Sequence, residues 1–141
     1  MDVLIDTNIW SLALRRAKAH LSAEESASAA VLAELIREGR AKMIGPIRQE
    51  VLSGIRETAQ FNRLRRQLQS FPDEPLVTED FEHAAQCNNQ CRSKGISGSH
   101  TDFLLCAVAL GRSWQIFTTD PDFNSYASVL ALGLLRIPGS S

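Results

Sequence analysis

The feature that most constrains this chain is the shortness of its apolar runs and their alternation with helix-length segments. Val3-Leu4-Ile5 opens the chain and stops at Asp6; Lys42-Met43-Ile44, Leu76-Val77, Gln115-Ile116-Phe117-Thr118 and Leu132–Ile137 follow, with room for one or more helices between them. Short apolar runs bounded by turn formers suit buried strands. The helix signals between them are local. One helix is expected from Ile9 to about Lys18. Ser22-Ala23-Glu24-Glu25 has the form of a capping box, opening a helix to about Glu38 that stops at Gly39. Its buried stripe is expected to be Ala29, Leu32, Ala33 and Ile36. Pro46 suits the first turn of a helix to about Ile55 that buries Ile47, Val51 and Ile55. Thr58–Phe71, Glu79–Lys94 before Gly95, and Ser99–Arg112 complete the long segments, and Asp120-Pro121 starts a short one. Strands alternating with helices predict an α/β fold with a mostly parallel sheet covered on both faces. A length of 141 residues suits one domain over 1–141.

Composition excludes several classes. No apolar run approaches the ~20 residues of a membrane span, and the MDVLID start lacks the basic opening of a secretory signal. Three cysteines, an odd number, do not make a disulfide framework, so a reducing cytoplasm is expected. With 15 basic and 16 acidic side chains the net charge is −1, which excludes nucleic-acid binding by uniform positive charge. That total hides a pattern. Residues 37–66 hold eight bases and three acids, and residues 73–82 hold five acids and no base.

In open parallel sheets, ligands bind beyond the carboxyl ends of the strands. Asp6 ends the first expected strand, and Asp120 follows the fourth, with Asp122 two residues on. Glu50 lies one turn into the helix after the second strand, between apolar Ile47 and Val51, and Asp102 lies in the first turn of the helix before the fourth. Singly, Asp6, Asp102 and Asp120 read as helix-capping residues. Jointly with Glu50, which has no cap to serve, they bring four acids to one sheet edge. Such carboxylates repel one another unless a cation neutralises them, and oxygen-rich sites suit Mg²⁺ or Mn²⁺.

Val3-Leu-Ile-Asp-Thr-Asn8 resembles the opening signature of PIN-domain ribonucleases. Gln49-Glu-Val-Leu-Ser-Gly54, the stretch from Gly95 through Asp102-Phe-Leu-Leu-Cys-Ala107, and Thr118-Thr-Asp-Pro-Asp-Phe123 resemble that family's second, third and fourth blocks. Length and spacing are similar to the VapC toxins of bacterial toxin–antitoxin pairs, over nearly the whole chain. The resemblance implies a PIN-like three-layer fold, with a five-stranded, mostly parallel sheet between helices. It implies a Mg²⁺-dependent endoribonuclease, Mn²⁺ substituting, with Asp6, Glu50, Asp102 and Asp120 as catalytic metal ligands. Asp122 would share or replace the role of Asp120, and Thr7, Asn8 and Thr118 would line the site. A divalent ion lowers the pKa of a water it binds, and the hydroxide would attack the RNA phosphorus in line, leaving a 5′-phosphate and a 3′-hydroxyl. RNA, a cognate VapB-like antitoxin and a second copy of the chain are the implied partners. A catalytically silent PIN-like interaction module is the alternative.

Arg56, Arg63 and Arg66 are the candidate RNA contacts within the basic stretch; a solvated helix face is an equal reading. His83, Cys87 and Cys91 recur every four residues, but one helix rarely supplies three tetrahedral zinc ligands, so packed thiols are expected. His100 reads as a surface residue, and Trp10 and Phe61 as core. A phospho-accepting receiver domain would need a Lys after a late strand, and no Lys follows Lys94. A phosphatase of the DxD type would need a second acid after Asp6, where Thr7-Asn8 stands.

Overall fold

The computed structural model describes residues 1–137. Three strands form one sheet: β1 (Val3–Ile5), β2 (Ala41–Lys42) and β3 (Gln115–Phe117), in the order β2-β1-β3 and all parallel. Seven α-helices surround it: α1 (Thr7–Leu14), α2 (Ala23–Arg37), α3 (Gly45–Leu52), α4 (Thr58–Leu68), α5 (Thr78–Arg92), α6 (His100–Arg112) and α7 (Asp122–Ala127). All three residues of β1 are fully buried, as the middle strand of a sheet covered on both sides must be.

The expected five strands reduce to three, with one backbone bridge at each edge. Met43 bridges Asp73 beyond β2, and Ile116 bridges Leu134 beyond β3, both parallel. The third strand is therefore misplaced at Leu76-Val77; the paired residues are Asp73 and Glu74, whose amide donates to the Met43 carbonyl at 2.8 Å. Pro72 and Pro75 bracket that contact, and a proline cannot donate to a ladder, so pairing ends there. The fifth is shortened to the same minimum. Ile116 donates to Gly133 and accepts from Leu135, and the bridge itself is the single pair of Ile116 with Leu134.

The helix signals are borne out at their caps. Ser22 and Glu25 form the reciprocal capping box of α2, at 3.1 and 2.9 Å, and Gly39 follows with φ 69°, a left-handed turn that glycine adopts without strain. The buried stripe of α2 is rotated from expectation. Ser28, Leu32 and Leu35 point inward while Ala33 and Ile36 are exposed, because burying a leucine removes more apolar surface than burying an alanine. α3 ends at Leu52, one turn early, with Ile47 and Val51 buried. α6 is buried around its whole circumference from Phe103 to Ala109 and packs against α5, β1 and β3. A helix so enclosed cannot tilt without breaking the core, so its first turn is rigidly placed.

Candidate active site

Asp6, Asp102, Asp120 and Asp122 each stand where a strand or loop hands over to a helix. Asp6 leaves β1 and is the N-cap of α1: its Oδ1 accepts the Thr7 backbone N–H at 2.7 Å. Its Oδ2 accepts the Thr118 hydroxyl at 2.7 Å, from the residue that follows β3. Thr118 Oγ1 in turn accepts the backbone N–H of Asp120 at 3.0 Å and the Asn8 side-chain amide at 3.4 Å. One threonine hydroxyl thus ties the ends of the neighbouring strands β1 and β3 together. Asn8 Oδ1 is buried beside it with no protein partner among the described residues.

Asp102 sits at the third position of α6, where Ser99 Oγ caps its backbone N–H at 3.1 Å. Asp120 Oδ1 accepts the backbone N–H of Asp122 at 2.9 Å, opening α7. These local bonds aim three carboxylates at one point: oxygens of Asp102, Asp120 and Asp122 lie within 4.8 Å of one another. Asp122 belongs to the cluster as fully as Asp120. Glu50, exposed on α3, stands outside this trio, and its Oε1 accepts the Thr7 hydroxyl at 3.1 Å. It is joined to Asp6 through that one residue.

The electrostatics are those of buried and half-buried carboxylates set close together. Asp6 is 7% exposed, and its pKa is pushed up to about 6. Burial is the main cause; the Thr118 and Thr7 hydrogen bonds pull it down, and the Asp102 and Asp120 charges push it up again. Asp102 is also raised, first by burial, against hydrogen bonds from Tyr126 and Ser99, with Asp120 and Asp122 adding repulsion. A hard divalent cation is the partner such an all-oxygen set fits.

The chain matches the model of the PIN domain over residues 3–129. It belongs to the PIN domain family. No functionally curated protein matches the sequence. Among solved structures, this PIN domain is similar to FitAcB from Neisseria gonorrhoeae, at 19% identity and TM-score 0.73, covering 95% of this chain and 96% of that one. It is also similar to VapBC2 from Rickettsia felis bound to a DNA fragment from their promoter, at 15% identity and TM-score 0.72, covering 96% and 98%. A third is FitAB bound to an IR36 DNA fragment, at 17% identity and TM-score 0.72, covering 94% and 93%. At these identities the likeness is one of fold.

The other sequence candidates separate. Arg56, Arg63 and Arg66 are exposed, and their guanidinium groups make no ion pair or hydrogen bond among the described residues. Cys87, Cys91 and Cys106 are all free and buried, with Cys87 and Cys91 fully enclosed in the core, as packed thiols and not as a zinc set. Trp10 is fully buried and its ring lies 4.8 Å from that of Phe71, while Phe61 is only half-buried. No helix among the described residues is long and apolar enough to cross a membrane. Sequence reasoning missed Tyr126, whose hydroxyl donates to Asp102 Oδ2 at 2.6 Å, and Gly98, whose Cα faces that hydroxyl. A signal existed: Tyr126 is the chain's only tyrosine against six phenylalanines.

Proposed function

We propose that this PIN domain is a Mg²⁺- or Mn²⁺-dependent endoribonuclease serving as the toxin of a toxin–antitoxin pair. The observation that carries the reading is the convergence of Asp102, Asp120 and Asp122 at the carboxyl end of a parallel sheet, with Asp6 close enough for the charges of Asp102 and Asp120 to raise its pKa. Asp6, Asp102, Asp120 and Asp122 would hold the ion, and Glu50 would join them through Thr7. A bound divalent ion supplies the charge that makes water a nucleophile near neutral pH and offsets charge building on the phosphate.

The chain's own residues prepare that chemistry. Thr118 fixes Asp6 and the backbone at Asp120 in one register, so both carboxylates are placed before substrate arrives. Asp6 accepts the first backbone N–H of α1 and Asp120 the first of α7, which lowers the cost of gathering them. Arg56, Arg63 and Arg66 would track the RNA backbone. The toxin assignment, with a cognate antitoxin and a second copy of this chain as partners, rests on the VapC-like motif order and on fold likeness to the VapBC2 and FitAB assemblies.

Asp102→Asn and Asp6→Asn test the reading directly. Each should lower RNA cleavage at least 100-fold and relieve growth arrest on expression, and EDTA should abolish wild-type cleavage. Full activity in either variant, or cleavage that survives EDTA, defeats the mechanism. Mn²⁺ uptake no better than that of an unrelated acidic protein would favour the silent interaction module.

A further inference from the structure

Beneath the acid cluster lies an aromatic one. Tyr126 is fully buried, with ring centroids 5.0 Å from Phe103 and 5.1 Å from Phe123. Phe103 follows Asp102 in α6, and Phe123 follows Asp122 in α7. The rings therefore join α6, which carries Asp102, to α7, which carries Asp122 and begins two residues after Asp120. For packing alone a third phenylalanine would serve. The hydroxyl adds a polar group to an apolar contact, and a buried hydroxyl needs a partner. Its partner is Asp102 Oδ2, at 2.6 Å. Gly98 makes the space: a Cβ there would overlap the hydroxyl and lie 2.8 and 2.9 Å from two ring carbons. The next residue, Ser99, caps the backbone of Asp102. Asp102 is thus held by its main chain from Ser99 and by its carboxylate from Tyr126.

We propose that Tyr126 is a positioning residue that commits one oxygen of Asp102 to the phenol and presents the other to a small divalent cation. This rests on the carboxylate reading of the site. A carboxylate so held has one oxygen partly engaged and ligates best through the other. Mg²⁺ and Mn²⁺ suit that arrangement, whereas Ca²⁺ readily takes both oxygens of a carboxylate in a looser shell. The phenol thereby acts on which ion the site accepts as well as on how tightly it is held. Gly98 is part of the same device, because any side chain there would displace the hydroxyl.

The test is a Mn²⁺ titration of the full chain, wild type and Tyr126→Phe, followed by electron paramagnetic resonance of the free ion, with Mg²⁺ and Ca²⁺ as competitors. Removing a group that orients a metal ligand costs about 10-fold or more in affinity. The Phe variant should therefore bind Mn²⁺ about 10-fold more weakly, with Ca²⁺ competing relatively better against Mg²⁺. Wild-type Mn²⁺ affinity in that variant overturns the proposal. A second readout leaves the wild-type fold untouched. With a single tyrosine in the chain, ultraviolet resonance Raman bands sensitive to phenol hydrogen bonding report on Tyr126 alone. They should shift when Mg²⁺ is added and in Asp102→Asn, and bands that stay fixed in both overturn the proposal. A wild type that takes up no Mn²⁺ is a different failure, since it removes the carboxylate reading itself.

Discussion

Asp6 is pulled in two directions. As the N-cap of α1 and the acceptor of the Thr118 hydroxyl it is favoured as an anion; buried near Asp102 and Asp120 it is favoured as an acid, and the second influence prevails, with a pKa of about 6. Because the folded value lies above the ordinary 3.8, the native state of the metal-free protein binds more protons than the unfolded chain between those values. Stability therefore falls as pH rises from about 4 to about 6, then levels off. The shift corresponds to about 3 kcal/mol at most. Urea denaturation in EDTA across that range should show the fall, and Asp6→Asn should flatten most of it. Capping and site-building, set against each other in the sequence, are the same placement here: in a parallel α/β fold the carboxyl end of a strand is the amino end of the next helix. That made Asp6 and Asp120 legible, while Asp102 was legible from the Ser99 cap of α6. Tyr126 was not, because its role comes from a tertiary contact with Gly98 and Asp102 that no spacing announces.

Elements whose ends carry chemical signals were legible, and those defined by partners were not. Ser22 and Glu25 announced α2, Pro46 announced α3 and Ser99 announced α6, since caps are local bonds. The outer strands depended on what an edge leaves free to pair, so Asp73 replaced Leu76-Val77 and the last strand shrank to the bridge at Leu134. The start of α5 shows how such a segment is held when strand pairing is minimal. Asp80 accepts the Val77 N–H at 2.9 Å and two bonds from Arg112 at 2.8 and 3.0 Å, while Arg112 also donates to the Pro75 carbonyl and faces Glu74. Asp80 is only 8% exposed, and its pKa is lowered, first by Arg112. Asp80→Ala should cost about 3 kcal/mol in urea denaturation, because it leaves a largely buried guanidinium with only Glu74 and the Pro75 carbonyl. Adding Arg112→Met to that variant should restore about half of the loss, and a double variant no more stable than the single would show that Arg112 has other indispensable partners.

At the scale of the whole molecule, the near-neutral charge resolves into local pairs and an unpaired remainder. Of the eight bases in residues 37–66, Arg37, Arg40, Lys42 and Arg48 are paired, to Glu34, Glu38, Asp2 and Asp73. Arg48 is further committed to the carbonyls of Leu68 and Phe71, so it holds the turn after α4 and is unavailable to a ligand. Arg56, Arg63, Arg65 and Arg66 remain unpaired and exposed, all on α4 or the loop before it. If that remainder meets RNA, each phosphate contact contributes about 0.7 to the slope of log affinity against log salt on a single strand. Arg63→Gln with Arg66→Gln should then lower the slope by about 1.4 and weaken binding of unrelated RNA sequences alike, measured in an Asp6→Asn background to suppress cleavage. The same pair of changes at Arg37 and Arg40, whose charges are already answered by Glu34 and Glu38, should leave the slope unchanged. Equal slopes for both pairs of variants would place the RNA path elsewhere on the molecule.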